Sequence, residues 1–105
     1  MAKFLLAYHG GGMPETEEEQ AQVLAAWGEW YGKLGASVVD PGNPMGQARS
    51  VGSDGSVSSG GGANPVSGYS IIDVSDIDAA IDAAKGCPVL QSGGSVEVAE
   101  TFNVM

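Results

Sequence analysis

The chain contains a single histidine, His9, and Asp40 is the carboxylate that the predicted sheet places at the same end. His9 closes one short apolar run and Asp40 closes another. A carboxylate beside an imidazole fixes its tautomer, an arrangement suited to general acid–base catalysis. We therefore predict His9 and Asp40 as a catalytic pair. The alternative is that His9 forms a local hydrogen bond and Asp40 caps the turn at Pro41-Gly42.

Aromatic and amide side chains are predicted near the same end of the sheet. The predicted substrate-binding residues are Tyr8, Trp27, Tyr31, Asn43 and Asn64. The aromatic residues of the first helix recur at spacings of three and four, which helix packing alone also requires. Packing is the favoured interpretation of that stripe, and a pocket wall is the second.

The glycine, cysteine and histidine content argues against metal and nucleotide sites. One histidine and one cysteine, Cys87, cannot form a structural zinc site. The run Gly10-Gly11-Gly12 follows a strand, but no lysine comes after it and glutamates follow instead, which disfavours phosphate binding. We expect no metal and no cofactor.

The charge of the chain disfavours two classes of partner. It carries 13 acidic and 4 basic residues, a formal net charge of −9, and its basic residues are scattered. Nucleic acids and anionic membranes require clustered lysine and arginine, so neither is expected as a partner. No apolar run approaches the length of a membrane span or of a signal peptide core, and a single cysteine allows no internal disulfide. These features favour a cytoplasmic protein.

Hydrophobic periodicity, capping residues and turn signals predict an alternating series of strands and helices. Thr16 followed by Glu19 is typical of a capping box, and Ser53-Asp54-Gly55 is typical of a hairpin turn. Ser75 is predicted to cap the second helix. The predicted elements are a strand at 3–9, a helix ending at 34, a strand at 36–39, a hairpin at 47–52 and 56–58, a strand at 67–74, a helix ending at 84 and a strand at 95–104.

This order predicts an α+β fold of the ferredoxin-like βαββαβ type, with one domain over residues 1–105. Its antiparallel sheet would carry two helices on one face. The other face would remain apolar and uncovered, and a second copy of the chain is the natural cover. We therefore predict a homodimer.

The sequence resembles the YCII-related domain family. The resemblance lies in the opening strand KFLLAYHG, the helix Trp27-x-x-Trp30 ending in Leu34-Gly35, the strand SGYSIIDV and the closing Val96-Glu97-Val98. It implies a ferredoxin-like fold and dimeric α/β-barrel packing. The biochemical role of the family is mostly unknown, although a His–Asp pair has suggested enzymatic activity in some members.

Two departures from the family pattern bear on function. Where one subfamily has Asp-Gly-Pro-Phe, this chain has Asn64-Pro65-Val66 after Gly62-Ala63. The family histidine lies on the first helix, which has no histidine here, so the family pair is not transferred. The resulting hypothesis is a small-molecule-binding protein or enzyme with a His/Asp pocket. The alternative is a non-catalytic interaction or regulatory module.

Overall fold

The computed structural model describes residues 2–11, 16–62 and 64–102. Its elements are β1 (Ala2–His9), α1 (Glu17–Leu34), β2 (Val38–Asp40), β3 (Arg49–Val51), β4 (Val57–Ser59), β5 (Val66–Val74), α2 (Ile77–Ala84) and β6 (Ser95–Glu100). Short 3-10 turns follow α1 at Gly35–Ser37 and precede β6 at Pro88–Ser92. Among the helices described, none combines the length and the apolar character needed to span a membrane.

Four strands form the main sheet in the order β2-β5-β1-β6, and each pairs antiparallel with its neighbours. Because β5 lies between β1 and β2, these two strands run in the same direction and end at the same edge. This order, with a helix after the first strand and another after β5, is the ferredoxin-like arrangement, so the predicted fold is confirmed.

One face of the sheet forms the hydrophobic core. On β1 the alternate residues Phe4, Leu6 and Tyr8 are buried, as expected for a strand with side-chain period two. Both helices pack on this face: the buried cluster joins these three residues and Ile72 to Trp30 of α1 and to Ala80 and Ala84 of α2. The two helices on one face are therefore confirmed.

Capping side chains define the start of both helices. The Oγ1 atom of Thr16 accepts a hydrogen bond from the N–H of Glu19 at 3.1 Å, as the capping-box pattern predicts. In α2 the cap is Asp76, whose carboxylate accepts from the N–H of Ala79 at 2.8 Å. The prediction of Ser75 as the cap was wrong by one residue, since aspartate and serine are comparable caps and stand side by side here.

The last strand is shorter than the sequence pattern predicts. Val96 and Val98 pair with Tyr8 and Leu6 and share their face, but β6 ends at Glu100. Phe102 lies beyond the strand and is 81% exposed, so the predicted strand at 95–104 was too long. Its last residues, 103 and 104, lie outside the described residues.

Strands β3 and β4 form a second, two-stranded sheet that we call the hairpin arm, residues 49–59. Its turn is closed by a hydrogen bond from the N–H of Gly52 to the carbonyl of Ser56 at 2.7 Å. Gly55 has φ of 87°, a conformation that glycine adopts without steric cost. The predicted hairpin is confirmed, with each strand shifted by one or two residues.

The tryptophans of α1 allow a test of the core. Trp30 is 5% exposed and its indole N–H donates to the carbonyl of Ala83 at 2.9 Å, whereas Trp27 is only partly buried. We expect Trp30→Ala to lower the free energy of unfolding by about 3–5 kcal/mol. Trp27→Ala serves as the matched variant and should cost clearly less. Urea unfolding of both variants measures this, and a loss below about 1 kcal/mol for Trp30→Ala would contradict the packing described here.

Candidate functional site

A cavity of about 420 Å³ opens at the sheet edge where β1 and β2 end. It lies between α1 and the main sheet, and the segment after β2 and the 3-10 turn before β6 close its sides. Val23 and Leu24 contribute aliphatic walls, and Gly10 and Gly11 form part of its rim. Of the described residues that line the cavity, none has a charged side chain.

Three aromatic rings form one wall of the cavity. Tyr8 and Trp27 meet edge to face, with ring centroids 5.2 Å apart and planes at 71°. Trp27 and Tyr31 are 5.8 Å apart with planes at 36°. Both separations lie in the range of favourable aromatic pairs, so the rings support one another in these orientations.

A network of hydroxyl groups lies behind this wall. The Tyr8 hydroxyl donates to Oγ of Ser70 at 2.7 Å, and Ser70 in turn donates to the carbonyl of Pro41 at 2.7 Å. The Tyr31 hydroxyl donates to the same carbonyl at 2.9 Å and lies 3.0 Å from Ser70 Oγ. The three hydroxyl groups supply the protons for these four contacts. Both phenol hydroxyls therefore already form hydrogen bonds within the protein.

Burial keeps the groups around Tyr8 uncharged. Desolvation raises the pKa of the Tyr8 phenol well above its ordinary value, a rise that the hydrogen bond to Ser70 partly offsets. The buried Cys87 thiol is close to Tyr8, and desolvation raises its pKa to about 11. At neutral pH both groups therefore hold their protons, and Cys87 is a poor nucleophile.

Asp40 shapes the segment that closes one side of the cavity. Its Oδ1 atom accepts a hydrogen bond from the N–H of Gly42 at 2.8 Å. Gly42 has φ of 73°, and a Cβ atom there would collide with the backbone carbonyl of Tyr69. The turn therefore requires glycine at this position, and it brings the Asn43 side chain to the cavity wall.

His9 lies on the opposite face of the sheet from Tyr8. Its Nδ1 atom is 3.0 Å from the carbonyl oxygen of Asn64 and 3.2 Å from that of Pro65. Its Nε2 atom is 3.2 Å from Oε1 of Glu97, a largely exposed carboxylate on β6. Carbonyl oxygens only accept, so a hydrogen bond to Asn64 or Pro65 is one that Nδ1 donates.

The structure brings some predicted site residues together and separates others. Tyr8, Trp27, Tyr31 and Asn43 all line the cavity, whereas Asn64 does not and contacts His9 through its carbonyl. His9 and Asp40 end strands that run in the same direction with β5 between them, as expected, but each side chain has other hydrogen-bond partners. Asp40 makes the turn contact considered as its alternative, whereas the contacts of His9 reach residues far away in the chain. The catalytic pairing of the two residues stays a prediction.

Two residues of this region escaped the sequence analysis. Ser70 could not be predicted, because a serine in an apolar strand does not by itself indicate a buried network of hydroxyl groups. Glu97 could have been found, since the alternation of Val96 and Val98 toward the core places it on the other face, beside His9. Among the described residues, no group of three or more His, Cys, Asp or Glu side chains could hold a metal ion.

The fold and the cavity define an α+β protein of ferredoxin-like topology with an uncharged cavity at one end of its sheet. The chain is similar in structure to 5-chloro-2-hydroxyhydroquinone dehydrochlorinase from Burkholderia phenoliruptrix, solved as a complex with 2,5-dihydroxybenzoquinone. The TM-score is 0.55 at 16% sequence identity, over 96% of this chain and 93% of the other. Comparison with protein-family models and with curated proteins gives no match. The likeness shows a shared fold.

The hydroxyl network predicts an effect on stability. Ser70→Ala removes the acceptor of the buried Tyr8 hydroxyl, and leaving such a donor without a partner costs about 1–3 kcal/mol of unfolding free energy. Ser50→Ala, in the exposed hairpin arm, is the control and should change it by no more than about 0.5 kcal/mol. Chemical denaturation distinguishes the two, and equal effects of the two variants would refute the network's role.

Proposed function

We propose that this protein binds a small, uncharged, flat ring compound in the cavity beneath α1. The observation that carries the proposal is an aromatic-walled cavity of about 420 Å³ whose lining, over residues 2–11, 16–62 and 64–102, includes no charged side chain. Ligand cavities in proteins typically have such apolar walls and a few placed polar groups. A charged ligand would lose its hydration here without gaining an ion pair, so neutral compounds are favoured.

The polar groups of the cavity narrow the ligand further. The hydroxyls of Tyr8 and Tyr31 are committed to Ser70 and Pro41. The Asn43 amide forms no hydrogen bond with the described residues and can both donate and accept. A ring with one hydroxyl or carbonyl substituent facing Asn43 suits this arrangement. The dihydroxybenzoquinone bound by the structural neighbour is a flat oxygenated ring, which supports a flat ring as the ligand.

We assign binding to the cavity and leave catalysis by His9 and Asp40 as a prediction from the sequence. Asp40 acts here as a positioning residue for the turn that carries Asn43. His9 positions the segment at 64–65 from the opposite face of the sheet. An enzymatic role would require the side chain of His9 or of Asp40 to reach a ligand in the cavity.

We further propose that the protein is a cytoplasmic homodimer of the YCII-related type. The open face of the main sheet carries Leu5, Tyr69 and Ile71, which are only partly buried, and Val39, which is 48% exposed. These residues form an apolar surface that the two helices do not cover. A second copy would cover it in a two-fold arrangement. The likeness of the sequence pattern to that family and the shared fold support this assignment.

Ligand binding is tested with a matched pair of compounds, 4-methylphenol and 4-methylbenzoate. We expect the neutral phenol to bind at least about tenfold more tightly, because the uncharged cavity gives the carboxylate no partner. Isothermal titration calorimetry, or chemical-shift changes at Trp27, would measure both affinities. Equal or stronger binding of the anion would contradict the proposal.

Substitutions at two asparagines form a matched test of where the ligand binds. Asn43→Ala removes the free amide of the cavity wall and should weaken 4-methylphenol binding by about threefold or more. Asn64→Ala keeps the backbone carbonyl that contacts His9 and lies outside the cavity, so its affinity should stay within about twofold of the unaltered protein. The reverse order would move the binding site to the His9 side of the sheet.

The homodimer is tested by sedimentation equilibrium at micromolar concentration. We expect about twice the chain mass of 10.6 kDa. Ile71→Asp places a charge at the centre of the open face and should yield monomers, because a buried unpaired charge opposes association. Ile77→Asp, on the exposed surface of α2, should leave the dimer intact. Monomers in the unaltered protein would refute the homodimer.

A further inference from the structure

The hairpin arm has almost no support from the rest of the chain. Apart from Ser50, every residue of its two strands is exposed. Val51 and Val57 stand directly opposite each other near its tip, 71% and 65% exposed. An isolated two-stranded hairpin is only marginally stable in water. Exposing an apolar cross-strand pair to water is unfavourable as well.

The whole chain has more surface than a compact monomer of its size. Its accessible area is 7104 Å² for a mass of 10.6 kDa, whereas a compact monomer of that mass exposes about 5,500 Å². Its radius of gyration is 15.1 Å and its extents are 43 × 42 × 18 Å, whereas about 13 Å is expected for a compact domain. The excess of about 1,600 Å² exceeds the area of about 800 Å² that each partner buries in a standard interface.

The charges of the arm and of the open sheet face are complementary. Arg49, at the base of the arm, donates to the backbone carbonyl of Ala48 and forms no ion pair with the described residues. On the open face, Asp73 has a buried Oδ1 atom that finds no hydrogen-bond donor in the described part of the chain. A buried carboxylate oxygen without a donor is rare in folded proteins. Lys3 lies opposite Asp73 on β1, but the two form no ion pair in the described part of the chain.

We propose that the hairpin arm of one copy lies across the open sheet face of the second copy in the homodimer. Val51 and Val57 pack on the apolar residues of that face, and Arg49 supplies the missing donor to Asp73 of the partner subunit. Two-fold symmetry makes each arm serve the other copy, so both faces are covered by the same contact. The inference rests on the proposed homodimer and identifies the segment that holds it together.

The arm is tested by sedimentation equilibrium of the full chain over a concentration series. Val51→Thr with Val57→Thr keeps the β-branched shape but makes both side chains polar, and should raise the dimer dissociation constant at least about tenfold. Arg49→Glu should weaken the dimer similarly, and adding Asp73→Arg to it should restore the dissociation constant to within about threefold of the unaltered protein. Ile77→Thr, an exposed apolar residue of α2, is the control and should have no effect.

A folding measurement separates loss of the interface from loss of the fold. The arm lies outside the core cluster, so circular dichroism of the variants under monomeric conditions should match that of the unaltered protein. Amide exchange at residues 49–59 should slow when the dimer forms. If the valine and arginine variants dimerise as tightly as the unaltered protein, the arm proposal is refuted while the homodimer stands. A monomeric unaltered protein refutes both, and ligand binding to the cavity is unaffected by either outcome.

Discussion

Both helices pack on one face of the four-stranded sheet, and the core, the cavity and the uncovered second face all follow from this arrangement. The covered face holds Phe4, Leu6 and Ile72 without any exposed area, so the core is tightly closed at its centre. The cavity lies beside the end of β1, and the opposite face of the sheet has no helical cover.

The cavity keeps its shape because its polar groups are used internally. Tyr8, Tyr31 and Ser70 join β1, α1 and β5 to the carbonyl of Pro41, so four separate segments meet in one set of hydrogen bonds. Hydrogen bonds in such buried networks strengthen one another and fix side-chain orientation. The network leaves an uncharged wall with few free polar groups, which favours recognition by shape and stacking.

His9 and Asp40 show how strand order and side-chain direction act separately. Both end strands at the same edge, as their places in the chain predict. The His9 side chain, however, points to the open face, where Glu97 and the carbonyls of Asn64 and Pro65 surround it. Asp40 turns to the backbone of Gly42. A sequence locates such residues along an edge, but the partner that each one meets depends on register and on the path of the following loop.

Local sequence patterns determined the elements of this protein. Apolar alternation along β1, the cap at Thr16 and the turn at Gly55 act between near neighbours, so they can be predicted from the chain itself. The cavity wall was predictable in part, since Tyr8, Trp27 and Tyr31 lie on the faces that their spacing assigns to them. Only the tertiary structure decided that Ser70 completes the network and that Glu97 meets His9. Those contacts join residues 62 and 88 positions apart, and pairing at such distances depends on sheet register and loop geometry, which no local pattern encodes.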